Sequence, residues 1–133
     1  MRVLLDTNVL VSAVLSGGLP RRLLDHALRG RFVLVTGDDL LDEFEDVVRD
    51  RFGFDRSAAR LVRAELDTIA ELAQPRDLAP ASRDPDDDVV LATAVAGGAE
   101  AVVTGDKDLL VLEPHAGIPI LTPRQFVDRF MQP

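Results

Sequence analysis

The composition describes a folded chain with a strong negative charge. Its 133 residues are enough to bury a core, and a hydrophobic content of 47% argues against disorder. The absence of cysteine excludes disulfides, thiolate metal sites and cysteine nucleophiles. A net charge of −8 counts by itself against nucleic-acid binding, because proteins that bind phosphates usually carry a basic face.

The N-terminal segment and the apolar runs predict a cytoplasmic protein. The N-terminal segment meets the charge of Asp6 too early for a secretory signal. No apolar run approaches the roughly 20 residues that a membrane span requires. We therefore expect a soluble chain with no membrane partner.

The first half of the chain predicts strands that alternate with helices. Residues 3–5 form a short apolar run that ends at Asp6, which is typical of a buried strand running into a helix. A helix that starts at Pro20 and a strand over 32–35 follow. The apolar spacing then predicts a helix that ends near Gly53 and another from about residue 56 to 73.

The second half continues the same alternation. Asp84 and Pro85 suit the start of a helix that ends before residues 97–98, and strands are predicted over 101–104 and 118–121. Thr122 suits the cap of a terminal helix. The loop over 74–83 is too short to divide domains, so we expect one domain over 1–133. Such alternation predicts an α/β fold with a parallel sheet covered on both faces.

Two aspartates follow predicted strands. Asp6 comes after the first strand and Asp106 after the third, so both should emerge at one edge of the sheet, where ligands bind in such folds. For either residue alone, a helix cap is the better explanation, since aspartate favours that position.

Two further acids lie on helices beside the predicted core. Asp87 precedes Val90 and Leu91 by three and four residues, so it heads a buried stripe. A lone carboxylate facing the core would be costly, which argues against simple solvation. On the earlier acidic helix, Glu43 and Glu45 flank the apolar stripe on opposite sides, and periodicity does not choose between them.

Four carboxylates from separate elements can therefore converge: Asp6, Glu43, Asp87 and Asp106. Clustered carboxylates repel one another unless they are protonated or neutralised by cations. Oxygen ligands favour Mg²⁺, Mn²⁺ or Ca²⁺ over zinc. Such a metal can polarise a phosphodiester and activate water without a histidine base. The two histidines, His26 and His115, lack a ligand-like spacing.

Several motifs together resemble the PIN-domain family. They are Val-Leu-Leu-Asp-Thr-Asn-Val-Leu at 3–10, Leu-Leu-Asp-Glu at 40–43, Asp-Asp-Val-Val-Leu-Ala-Thr-Ala at 87–94, Val-Val-Thr-Gly-Asp-Lys-Asp-Leu-Leu at 102–110 and Gly-Ile-Pro-Ile-Leu-Thr-Pro-Arg-Gln-Phe at 117–126. The resemblance spans nearly the whole chain, with the motifs in the family's order. It implies a three-layer αβα sandwich and an endoribonuclease that depends on Mg²⁺ or Mn²⁺.

The resemblance also implies roles for particular residues. Its catalytic and metal-binding acids correspond to Asp6, Glu43, Asp87 and Asp106. The run of aspartates leaves Asp88 as an alternative third acid, although alignment on Ala-Thr-Ala at 92–94 favours Asp87. Supporting roles fall to Asn8 and Thr104, which are equally explained as a helix cap and a strand residue. Asp108 corresponds either to an outer acid or to a surface residue.

Short members of the family are similar to the VapC-like toxins of bacterial toxin–antitoxin pairs. This similarity implies an RNA substrate, a basic antitoxin that would cover the acidic chain, and a homodimer. Two alternatives remain open. One is a PIN-fold binding module with little activity. The other is a phosphatase similar to the haloacid dehalogenases. That family requires an acidic residue at the position where this chain has Asn8.

Overall fold

Parallel strands alternate with helices along the chain, as the sequence predicts. The computed structural model describes residues 1–75 and 85–131. The elements in chain order are β1 (Arg2–Leu5), α1 (Thr7–Leu15), α2 (Leu19–Leu28), β2 (Val33–Thr36), α3 (Asp38–Phe52), α4 (Arg56–Ile69), β3 (Ala70–Leu72), α5 (Pro85–Ala96), β4 (Ala101–Val103), α6 (Lys107–Leu110), β5 (Ile120–Leu121) and α7 (Pro123–Phe126), followed by a π-helical turn, Val127–Met131. Asp84, the predicted cap of α5, lies outside the described residues.

The five strands of the described residues all run parallel, in the order β3-β2-β1-β4-β5. Side chains alternate across the sheet because successive strand residues point to opposite faces. Val3 and Leu5 pack with α1–α4, whereas Leu4 packs with α5 and α6. The sheet is therefore covered by helices on both faces, and the predicted αβα sandwich is confirmed.

Local signals set most helix ends. Asp6 caps α1, Asp55 caps α4, and Thr122 forms a capping box with Gln125 at the start of α7. Gly53 ends α3 with a φ of 71°, a left-handed conformation that glycine adopts without a steric cost. The predicted end near residue 53 is thus correct.

Two predicted elements are longer, by two residues or more, than the elements that form. The helix expected over 56–73 ends at Ile69, where Ala70 turns extended and begins β3, and β3 pairs in parallel with β2. Pairing with a neighbouring strand has outweighed local helix preference there. The last strand covers only Ile120–Leu121, because Pro119 offers no backbone N–H to a sheet.

Among the described residues, no helix is both long and apolar enough to cross a bilayer.

Candidate metal centre

The carboxyl ends of β1 and β4 form the edge of the sheet where the acidic residues meet. The two strands are neighbours, with Leu5 opposite Val103, and the backbone N–H of Asp6 donates to Val103 O at 2.9 Å. From β1 the chain builds outward to β2 and β3, and it later returns to add β4 and β5 on the other side. The sheet order therefore reverses between β1 and β4, and ligands bind at such a switch point.

Asp6 is held in this position by hydrogen bonds to both of its carboxylate oxygens. The Thr7 backbone N–H donates to Oδ1 at 2.7 Å, and the Thr104 hydroxyl donates to Oδ2 at 2.7 Å. The side chain of Asp6 is 7% exposed. The residue is thus a helix cap, as local chemistry predicts, and it also faces the switch point.

Thr104 connects the ends of the two strands. It is fully buried, and its hydroxyl oxygen also accepts a hydrogen bond from the Asp106 backbone N–H at 3.0 Å. The hydroxyl therefore fixes the Asp6 carboxylate relative to the turn that carries Asp106. This contact agrees with the supporting role that the family pattern implies for Thr104.

The surroundings of Asp6 disfavour its negative charge. Burial raises the pKa of Asp6 above its ordinary value, and repulsion from Asp106 raises it further. The hydrogen bonds from Thr104 and Thr7 lower this pKa, but they do not offset burial. A bound cation would relieve this cost by stabilising the carboxylate.

Three aspartates from two helices bring oxygens close together at the same edge. Asp87 on α5 is 4% exposed, Asp106 caps α6, and Asp108 lies in the first turn of α6. One carboxylate oxygen from each lies within 4.8 Å of the others. Oxygens that share one cation at 2.0–2.6 Å are at most about 4–5 Å apart, so this spacing suits a divalent ion.

The position of Asp87 bears on the choice between the consecutive aspartates. Asp87 heads the inner face of α5 beside Val90 and Leu91, as the helical spacing predicts. Asp88 is half-buried and is not a member of the three-aspartate group. The geometry therefore favours Asp87 as the third acid.

The two glutamates of α3 point to different neighbours. Thr7 donates its hydroxyl to Glu43 Oε2 at 3.4 Å, which places Glu43 on the side of Asp6. Arg63 on α4 donates to Glu45 Oε1 at 3.0 Å, which directs Glu45 toward α4. The fold thus separates two residues that periodicity alone left equivalent.

Two residues in the first turn of α1 differ from what the motif suggests. Asn8 is exposed, and the carboxylate of Asp6 accepts its hydrogen bonds from Thr7 and Thr104. The supporting role of Asn8 stays a prediction from the family pattern.

Thr7 was not predicted as a site residue, yet it contacts two of the predicted acids. The available signal was its position three and four residues before the buried Leu10 and Val11.

A comparison with protein families matches residues 2–108 of the chain to the PIN domain. Since the match covers most of the 133 residues, the chain belongs to the PIN-domain family. The matched range includes all four predicted acids and ends at Asp108. No curated protein matches the chain. Membership removes the support for a phosphatase of the haloacid-dehalogenase type.

Members of this family are nucleases in general, they bind RNA, and they generally use divalent metals. The group of three aspartates is consistent with such a centre.

Proposed function

We propose that the chain is an endoribonuclease that hydrolyses RNA phosphodiester bonds with Mg²⁺ or Mn²⁺. One observation carries the proposal. Carboxylate oxygens of Asp87, Asp106 and Asp108 lie within 4.8 Å of one another, at the sheet edge where Asp6 is buried. Residues 1–133 would act as one PIN domain, in which β5 extends the sheet beyond the matched range.

The proposed metal ligands are the four predicted acids, Asp6, Glu43, Asp87 and Asp106. A divalent ion bound there would polarise the scissile phosphate and activate water. The chain's own contribution is to hold the carboxylates in place. Thr104 and the Thr7 backbone N–H fix both oxygens of Asp6, and the Asp108 backbone N–H fixes Asp106 Oδ1 at 2.9 Å. Preorganised ligands of this kind lower the cost of assembling the site.

The test compares RNA cleavage by the wild type and by Asp6→Asn with Mn²⁺ present. The substitution removes one charge from the site, so cleavage should fall at least about 100-fold, and EDTA should abolish wild-type cleavage. Asp46→Asn on α3 is the matched control, because Asp46 is exposed and its substitution removes the same charge. If the wild type cleaves no RNA with either metal, or if Asp6→Asn cleaves equally well, the proposal fails.

We further propose that the nuclease is the toxin of a toxin–antitoxin pair, similar to the VapC-like members of the family. The net charge of −8 supports a basic antitoxin as its partner, and the family pattern suggests a homodimer. Expression in bacteria should arrest growth for the wild type but not for Asp6→Asn. A basic protein encoded beside the chain should restore growth, and light scattering should give the mass of a dimer. Normal growth with the wild type would contradict the toxin role.

A further inference from the structure

Thr7 contacts two of the predicted acids from one position. It is the first residue of α1 and is 1% exposed. Its backbone N–H donates to Asp6 Oδ1 at 2.7 Å, and its hydroxyl donates to Glu43 Oε2 at 3.4 Å. The residue therefore links the end of β1 to helix α3 through both its backbone and its side chain.

The sequence explains why Thr7 can make both contacts. The first backbone N–H groups of a helix have no partner within the helix, so the N–H of Thr7 is available to Asp6. Thr7 precedes Leu10 and Val11 by three and four residues, which puts its side chain on the inner face of α1 that packs against α3. The branched Cβ also restricts the side chain to few rotamers.

We propose that Thr7 is a positioning residue that directs the Glu43 carboxylate toward Asp6 and so helps to assemble the divalent-cation site. The inference rests on the proposed function, since it needs both acids to serve the cation. The contact of 3.4 Å is longer than the 2.5–3.0 Å usual for hydroxyl donors, so its contribution is moderate. Loss of the hydroxyl should weaken cation binding about fivefold.

The experiment measures Mn²⁺ binding to the metal-free protein from the electron paramagnetic resonance signal of free Mn²⁺. Thr7→Val keeps the shape of the side chain but removes the hydroxyl, and it should bind about fivefold more weakly. Thr7→Ser restores the hydroxyl and should bind like the wild type. Thr93→Val is the matched control: Thr93 is also 1% exposed, but its hydroxyl donates to Val89 O within α5.

A double-mutant cycle separates positioning from general packing. Glu43→Gln should weaken Mn²⁺ binding by itself, and Thr7→Val should add nothing in that background if it acts through Glu43. Equal losses in both backgrounds would overturn the proposal. If Thr7→Val does not fold by circular dichroism, Thr7→Ala takes its place with the same expected results.

The outcomes also distinguish this proposal from the proposed function. If the wild type binds Mn²⁺, Asp6→Asn does not, and Thr7→Val binds as tightly as the wild type, only the role of Thr7 is overturned. If the wild type itself binds no Mn²⁺, the proposed function fails, and the role of Thr7 fails with it.

Discussion

Helix α3 borders two groups of acidic side chains that have different neighbours. The first, the α3–α4 cluster, consists of Asp38, Asp42 and Glu45, and all three form ion pairs with Arg63 of α4. The second, the strand-end cluster, consists of Asp6, Asp87, Asp106 and Asp108 at the carboxyl ends of β1 and β4. In residues 1–75 and 85–131, no ion pair includes Asp6, Asp106 or Asp108.

The two clusters differ in the source of their countercharge and in burial. In the α3–α4 cluster the protein supplies the cation itself, and the side chains are mostly exposed, with Asp42 at 63%. In the strand-end cluster Asp6 and Asp87 are buried, Asp106 is half-buried and Asp108 is exposed, and burial raises the pKa of Asp6. Buried and mutually repelling carboxylates are a feature of sites that bind cations from solution. The number of acids in a region is therefore less informative than the source of their countercharge.

Two neighbouring aspartates on α5 should differ strongly in their contribution to RNA cleavage. Asp87→Asn removes a carboxylate of the strand-end cluster, so RNA cleavage should fall at least about 100-fold. Asp88→Asn removes the same charge one residue later, outside the three-aspartate group, and should retain most of the activity. Initial rates with Mn²⁺ measure both variants. A larger loss in Asp88→Asn than in Asp87→Asn would show that the assignment of the third acid is incorrect.

A smaller effect is expected when the cation of the α3–α4 cluster is removed. Arg63→Met leaves three carboxylates without their guanidinium, and the free energy of unfolding should fall by about 1–2 kcal/mol. The loss should shrink at high salt because exposed charges are screened. Urea denaturation measures it.

Arg60→Met is the control for this change, since Arg60 is exposed on the same helix and forms no ion pair with described residues. It should change stability little. If Mn²⁺ stabilises Arg63→Met by more than it stabilises the wild type, then the α3–α4 cluster also binds divalent cations, and the contrast between the two clusters disappears.

The smallest effect is the pH dependence of the metal-free protein. Because the pKa of Asp6 is raised above 3.8, the folded state binds a proton that the unfolded state has lost. The stabilisation from this group is complete below pH 3.8 and is lost as the pH rises through the folded-state pKa.

Asp6→Asn stays neutral and should lack this decline. Urea denaturation in EDTA across acidic and neutral pH compares it with the wild type, and the difference in unfolding free energy should change with pH. A constant difference would contradict the raised pKa. Mn²⁺ should restore the stability of the wild type at neutral pH but not that of the variant.

The fold could be predicted from the sequence wherever local signals and burial agree. The apolar run of β1, the stripe of α3 and the caps at Asp6 and Thr122 each point to the element that forms. β3 could not be predicted, because Ala70–Leu72 is an edge strand of three residues with two exposed side chains. Its conformation depends on pairing with β2, which lies far away in sequence.

The candidate site shows a similar division. Strand ends and helical spacing predicted that Asp6, Asp87 and Asp106 would lie together, and the structure places them at one sheet edge. The choice between Glu43 and Glu45 depends on where α4 brings Arg63 and where α1 brings Thr7. Those positions are tertiary, so no pattern within α3 could reveal them.

The hydroxyl of Thr104 sets the direction of the hydrogen bonds that join the two strand ends. It carries a single proton, and its oxygen is already the acceptor for the Asp106 backbone N–H, so that proton is directed to Asp6. The hydrogen bonds therefore have a fixed polarity, from the β4 turn through Thr104 to the end of β1. Among side chains, a hydroxyl is the smallest group that accepts and donates at once. Valine at this position would fill the same space but would leave the Asp106 amide without its acceptor and Oδ2 of Asp6 without its donor.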